Sequence, residues 1–310
     1  MINYKTALII GATGQDGAHL AQHLSTAGWT VYCGFRRGSA SKTWRLHHLN
    51  ILDKVKLVNI NIDEPFNLND VLKSIQPAHI YHFAGESFVA DSEVFGPAAP
   101  NTLLSEESRL KPANPYGISK LTAQELVRMY RETYNLHASV GILFNHEGPL
   151  RGRNFVTRKI SFNLARLKID NGIPIELGAL SSARDWGAAE DYTAAMMSLL
   201  EQKEADDYVF ATGKLTTVRD FLRFSAIAAG FDPLFEGTGV DEVCVDKSSG
   251  MPLAVVSERY FRPFDTSARA GNAKKLLNKI NWQGSRSVEK IATEMVFTDI
   301  DRRTKGITNV

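Results

Sequence analysis

Ala7-Leu8-Ile9-Ile10-Gly11-Ala12-Thr13-Gly14-Gln15-Asp16-Gly17 is the stretch on which the fold turns. Four apolar residues, glycines spaced GxxGxxG, and a helical pattern through Leu20 and Leu24 to Gly28 read as strand, tight turn and helix. Glycine at these places permits the turn and lets the backbone approach a pyrophosphate. The start of the helix adds N–H groups and the positive end of its dipole. Glycines used only for helix–sheet packing are the plain alternative, but the position directly after the first strand favours a dinucleotide.

Working outward, Trp29 to Phe35 alternates and is rich in aromatic and β-branched residues, and Val55 to Ile60 makes a third strand. Leu68 to Ile75 has helical period until Gln76-Pro77 stops it, and Ala78 to Ala84 makes a fourth strand. Strands alternating with helices predict a parallel sheet with crossovers, hence an α/β, Rossmann-like, doubly wound domain. Residues 85–114, with Pro97, Pro100 and Pro112, show no sustained period and predict a long loop. Periodicity resumes in a helix from Pro115, with Leu121, Leu126, Val127 and Tyr130 on its stripe, and a strand from His137 to Phe144. Beyond residue 150 come helices around Ile160 to Leu167, Ala188 to Leu200, 218–229 and 287–298, and strands at Ile173 to Leu177 and Tyr208 to Ala211. The expected organisation is a dinucleotide-binding domain over 1–150 and a smaller mixed α/β substrate lobe over 151–310, with some segments of the latter returning to the first.

Composition bounds the function. Of 310 residues 44% are apolar, enough for a core, and 36 Lys plus Arg against 34 Asp plus Glu leave a net charge of +2. That balance argues against a nucleic-acid or membrane partner. Cys33 and Cys244 stand far apart without metal-ligand spacing, so neither a disulfide framework nor a metal site is expected. No apolar stretch is long enough to span a bilayer, and Met1 to Lys5 lacks the charged and apolar regions of a signal peptide, which predicts a cytoplasmic protein.

Two further motifs carry chemistry. An acidic residue at the end of the second strand would suit the ribose hydroxyl of NAD, but Phe35 is followed by Arg36-Arg37, whose guanidinium groups suit a 2′-phosphate, so NADP is expected. Two solvated surface arginines are the bland alternative. Tyr116-Gly-Ile-Ser-Lys120 puts a phenol and an ammonium one helical turn apart. The cation favours tyrosinate, which can take a hydroxyl proton while hydride leaves the same carbon for a nicotinamide. Together with the glycine turn and Asn114-Pro115, this pattern resembles the extended short-chain dehydrogenases/reductases that act on nucleotide sugars.

Gly141 to Ile160, GILFNHEGPLRGRNFVTRKI, resembles the corresponding block of GDP-mannose 4,6-dehydratases. GATGQDG, Arg36-Arg37, Tyr81-His-Phe-Ala-Gly-Glu-Ser87, NPYGISK, Arg184-Asp-Trp-Gly, Ala211-Thr-Gly and Tyr260-Phe-Arg-Pro263 follow in the family's order. The resemblance implies an internal redox cycle through NADP that removes water from GDP-mannose and yields GDP-4-keto-6-deoxymannose. The catalytic residues it implies are Ser92, Glu93, Tyr116 and Lys120, Glu93 taking the C5 proton and assisting loss of the C6 hydroxyl. Cofactor contacts would fall on Gly11, Ala12, Thr13, Gly14, Gln15, Asp16, Gly17, Arg36, Arg37, Asn61, Ile62, Phe83, Ala84, Gly85, Ser87, Lys120, His146 and Arg151. Substrate contacts would fall on Ser87, Glu93, Asn145, Lys159, Arg184 and Arg262, the cations suiting a diphosphate. Taken singly, Glu93 reads as a solvated acid and each cation as a surface salt bridge; their places within matched motifs shift the reading. The Arg37 to Arg45 loop resembles a subunit-interface segment, which implies a homodimer or homotetramer.

The chain also departs from the family. Asn61 stands where aspartate is usual. Ser87 and Tyr116 are only 29 positions apart, whereas the family has a further crossover helix and parallel strand here, a unit of roughly 30 residues or more. The junction falls at about Ser92, and Asp91 takes the place of a Ser/Thr that polarises the C4 oxygen; its carboxylate would repel developing negative charge. Either the 310 residues omit a segment of the parent protein, or the chain lacks the unit, with a gap in the sheet, a damaged nicotinamide pocket and no turnover. The cost of exposing apolar sheet edges favours the first. A reductase or epimerase of related nucleotide sugars, and a non-catalytic GDP-sugar-binding protein, are the alternatives.

Overall fold

The structure is a computed structural model, which describes residues 3–308 apart from 37–42, 85–90, 98, 100–101, 171 and 262–267, with the backbone alone at 3, 4 and 91. In chain order the elements are β1 (Asn3–Ile10), α1 (Gln15–Thr26), β2 (Thr30–Phe35), α2 (Trp44–His48), β3 (Lys56–Asn59), α3 (Pro65–Ile75), β4 (Pro77–His82), β5 (Leu103–Leu104), α4 (Pro115–Tyr134), β6 (Val140–Leu143), β7 (Asn145–Glu147), α5 (Val156–Asp170), β8 (Ile175–Leu177), β9 (Ala183–Ala188) and α6 (Ala189–Leu200). They continue with β10 (Asp207–Phe210), β11 (Leu215–Thr217), α7 (Val218–Ala228), β12 (Pro233–Glu236), β13 (Val243–Asp246), β14 (Pro252–Val256), β15 (Ala270–Gly271), α8 (Lys274–Ile280) and α9 (Val288–Thr304). No described helix is long and apolar enough to cross a membrane.

The chain divides into two compact units, residues 1–87 with 189–203, and 88–188 with 204–310. In the first, four parallel strands lie in the order β3-β2-β1-β4. Ala7 to Ile10 is buried on both faces, as a central parallel strand requires. Leu8, Ile10, Ile60 and Val71 form one core cluster beneath α3, and α6 packs on α1. Among the described residues β4 pairs only with β1, and its Ile80 is 46% exposed. Of α3 only Val71 is buried, and Phe66 is 84% exposed. Full burial of one such side chain stabilises by about 1.5–3 kcal/mol, so the exposure of Ile80 and Phe66 carries a cost of that order for each.

The second unit holds the larger core. Trp186 and Phe221 pack with their rings 5.3 Å apart, inside a cluster contributed by α5, α7, α9 and the sheet β12-β13-β14-β8. β6 pairs with β10, and β9 is flanked by β7 and β11. At the centre of the helix layer the fully buried Arg158 meets Asp299 at 2.7 Å, and Asp299 also accepts from Ser161.

The loop reading of residues 85–114 needs correction. Asp91–Phe95 forms a 3-10 turn, and Leu103–Leu104 forms β5 by pairing with β15. Neither element is long enough to show a period, and the partner of β5 lies far along the chain. The strand expected over His137 to Phe144 forms as β6, but among the described residues its neighbour is β10 alone.

Candidate active site

At the glycine turn, Gly11 has φ 88°, and a Cβ there would lie 2.8 Å from the backbone N of Ala84. A Cβ on Gly17 would lie 2.5 Å from the carbonyl of Gly11. Glycine is thus required on two counts, a left-handed conformation and a close approach of backbone to backbone. Exposed Gly14 caps α1 in extended conformation and lays no side-chain oxygen over the first helical N–H groups. Thr13 and Gln15 are buried, and Gln15 donates to Asp16 at 3.3 Å. A cradle that any side chain would fill, opening onto a helix start with no side-chain cap, fits the pyrophosphate of a dinucleotide. Arg36 is exposed just after β2, and Arg45 donates to the carbonyl of Thr13 at 2.9 Å.

Glu93 lies in the 3-10 turn, where sequence reasoning saw only loop. Its Oε1 accepts from Arg269 at 2.8 Å, and its Oε2 accepts from Asn114 Nδ2 at 2.7 Å. Asn114 is also the N-cap of α4, its Oδ1 accepting from Gly117 N at 2.8 Å, and Pro115 takes the first helical position where no N–H is needed. One amide therefore joins the carboxylate to the start of the helix that carries Tyr116 and Lys120. The Lys120 ammonium sits 5.4 Å from the centre of the Tyr116 ring. A Cβ on Gly117 would lie 2.7 Å from the carbonyl of Glu93, so α4 starts directly against this turn. Ser92 is buried, and its carbonyl accepts from Arg269 at 3.0 Å. Two residues of this frame were not assigned roles from the sequence. Asn114 carries the signature of a cap before proline, whereas nothing local marks Arg269, 176 positions from its partner.

The remaining candidates are spread over both units. Asn61 is taken up locally, donating to Glu64 at 2.8 Å and accepting from Asp63 N, and Ile62 is exposed. Phe83 donates its N–H to Ile10, which sets Phe83 and Ala84 at the end of β4. His146 is buried on β7 and donates from Nδ1 to Phe144 O at 2.7 Å. Asn145 precedes it, paired with Trp186 of β9. Arg151 makes an ion pair with Glu147 at 3.1 Å and stacks on Phe155, 3.5 Å from the ring centre. Lys159 lies 4.2 Å from the centre of the Tyr260 ring, and burial holds its ammonium below the ordinary lysine range. Arg184 on β9 donates to the carbonyl of Ala183. Beside it Asp185 accepts from Thr212 N, Thr212 Oγ1, Gly213 N and Gly271 N, fixing the Ala211-Thr-Gly turn; burial raises its carboxyl although these bonds oppose the rise. Arg37, Gly85, Ser87 and Arg262 lie outside the described residues, as does the side chain of Asp91.

The family model described as GDP-mannose 4,6 dehydratase matches residues 8–92 and 90–295. The chain belongs to the GDP-mannose 4,6-dehydratase family. A GDP-mannose 4,6 dehydratase 2 of Caenorhabditis elegans is 34% identical over 342 residues, covering 96% of this chain and 89% of the relative. A GDP-mannose 4,6-dehydratase of Sinorhizobium fredii is 33% identical over 344 residues, covering 97% and 98%. Both alignments are longer than the chain, so these relatives carry residues with no counterpart here. The family match breaks at residues 90–92, beside the Ser92 junction read from the motifs. Among solved structures, a dTDP-glucose 4,6-dehydratase of Bacillus anthracis in complex with NAD superposes with TM-score 0.80 at 18% identity, over 96% of this chain and 97% of that one. RMD of Pseudomonas aeruginosa complexed with NADPH gives 0.71 at 19%, over 96% and 99%. These structures establish the Rossmann-like α/β fold of the family member described here.

Proposed function

We propose that the chain converts GDP-mannose to GDP-4-keto-6-deoxymannose and water with NADP as its resident cofactor. The observation that carries this reading is the Glu93–Asn114–α4 frame, which sets a carboxylate and the Tyr116/Lys120 pair on one hydrogen-bonded scaffold. The pyrophosphate of NADP would rest on residues 11–17, its 2′-phosphate on Arg36 and Arg37, with further contacts from Asn61, Ile62, Phe83 to Ser87, Lys120, His146 and Arg151. When bound, NADP would supply a reversible hydride acceptor for an internal redox cycle between C4 and C6, with no external reductant consumed. Tyr116, its phenolate favoured by Lys120, takes the C4 hydroxyl proton. Glu93 takes the proton from C5 and gives one to the departing C6 hydroxyl, which leaves as water. Ser92 abuts this centre; Asn145, Lys159, Arg184 and Arg262 would hold the GDP-sugar, cations gripping its diphosphate. Residues 1–150 would then serve mainly NADP and residues 151–310 mainly the sugar nucleotide, in a cytoplasmic homodimer or homotetramer.

The test is incubation with GDP-mannose and catalytic NADP, followed by mass spectrometry of the sugar nucleotide. Loss of one water without net NADPH, abolished in Tyr116→Phe and Glu93→Gln, is the expected result. Net consumption of added NADPH would point to a reductase instead. That β4 and β6 each have one strand neighbour among the described residues favours a second reading, a GDP-sugar-binding protein without turnover, which binding of GDP-mannose with unchanged mass would support.

A further inference from the structure

Arg269 is 5% exposed, sits just before β15, and spends its two terminal nitrogens on a single target: Nη1 on the carbonyl of Ser92 and Nη2 on Oε1 of Glu93. A buried guanidinium is costly unless it is paired, and among the described residues its carboxylate partner is Glu93. Gripping backbone and side chain of adjacent residues fixes both the path of the 3-10 turn and the rotamer of the carboxylate. Oε2 is fixed from the other side by Asn114, so both oxygens are held by N–H donors, each with a lone pair left over. The Glu93 side chain is 14% exposed, which leaves the carboxylate an outlet from a site where its position is otherwise determined.

We infer that Arg269 is a positioning residue for Glu93: it aims the carboxylate for proton transfer at C5 and C6 and, through Asn114, registers it against the start of α4. This deepens the reading under Proposed function and rests on it for the reaction, though not for the clamp. Misplacement of a reacting group by about 1 Å costs on the order of 100-fold in rate. The step it serves is elimination, because the C4 hydroxyl proton goes to Tyr116 beside Lys120 and the C4 hydride would go to NADP.

Arg269→Leu and Arg269→Lys are assayed in the full chain with NADP and GDP-mannose. The expected result for Arg269→Leu is a fall in kcat for water loss of about 100-fold with KM nearly unchanged, while reduced cofactor accumulates because oxidation at C4 still proceeds. Arg269→Lys, which can replace one of the two bonds, recovers at least part of the lost kcat. Unchanged kcat, or a rise in KM alone, overturns the inference. Thermal unfolding of Arg269→Leu, Glu93→Gln and the double variant is measured beside the assay. A double variant with a Tm above the value expected from adding the two single shifts supports the clamp, and strict additivity overturns it. If the unaltered protein removes no water, the dehydratase reading falls while this cycle still decides the clamp.

Discussion

Asn114 does two things with one amide, and its loss is correspondingly twofold. Asn114→Ala removes the cap of α4, worth about 1 kcal/mol, and leaves Oε2 of Glu93 without its donor. The expected outcome is a Tm lowered by several degrees and a kcat reduced about 10-fold or more, by the scale of lost general acid–base positioning; Asn114→Asp keeps the cap but sets a second carboxylate against Glu93, and regains Tm without regaining kcat. Cys33 and Cys244 show the opposite kind of residue. Both are fully buried, and burial pushes both thiols up to about 12. A thiol raised in the folded state lends stability that is complete below its unfolded value near 9 and is lost as pH climbs toward 12. Stability in a denaturant titration is therefore expected to hold between pH 7 and about 8.5 and to decline beyond it, and a thiol reagent at pH 8 should label neither cysteine faster than the protein unfolds.

Among the elements α4 is held in an unusual way. Of its 20 residues only Gly117 and Gln124 are buried, and Ile118, Leu126, Met129, Tyr130 and Tyr134 are exposed. Much of its attachment is polar: Gln124, Arg128 and Arg131 converge on Asp207 of β10 at 3.1, 2.6 and 2.5 Å. Asp207→Ala takes the carboxylate from Gln124 and leaves Arg128 with Glu125 and Arg131 with Asp206 alone, and because Arg128 is partly exposed the cost is about 1–3 kcal/mol. Urea unfolding is expected to show that loss together with reduced turnover, since Tyr116 and Lys120 ride on the same helix; unchanged stability would mean that α4 is held elsewhere. The helix itself was plain in the sequence from Asn114-Pro115 and its stripe. Its anchorage was not, because an aspartate 76 to 83 positions from its partners carries no local mark. Pairings such as β5 with β15 and Arg269 with Glu93 escape reading for the same reason, while the glycine turn and the YxxxK pair declare themselves within a few residues.

For the whole molecule, the telling fact is that the sheet β3-β2-β1-β4 ends at β4 among the described residues. The alignment with the S. fredii relative runs to 344 positions and the family match breaks at residues 90–92, and grafting a helix–strand unit of that relative between Asp91 and Ser92 is expected to raise Tm and lower binding of a hydrophobic dye. No change in either would show that the exposed apolar groups do not await such a unit. The short interval from Ser87 to Tyr116 was legible from motif spacing; Ile80 at the surface and, among the described residues, β6 beside β10 alone needed coordinates. The flank of β4, without a strand neighbour among the described residues, also sets a clock for deuterium. Phe83 N–H bonds to Ile10 of β1, and alternation along a strand turns the amides of His79 and Tyr81 the same way and those of Ile80 and His82 outward. In heavy water Ile80 is expected to trade its hydrogen sooner than His79 and Tyr81, which keep theirs until β1 and β4 part. A single strand thus records two timescales in alternate residues, and the slower one reports the strength of the sheet at its weakest margin.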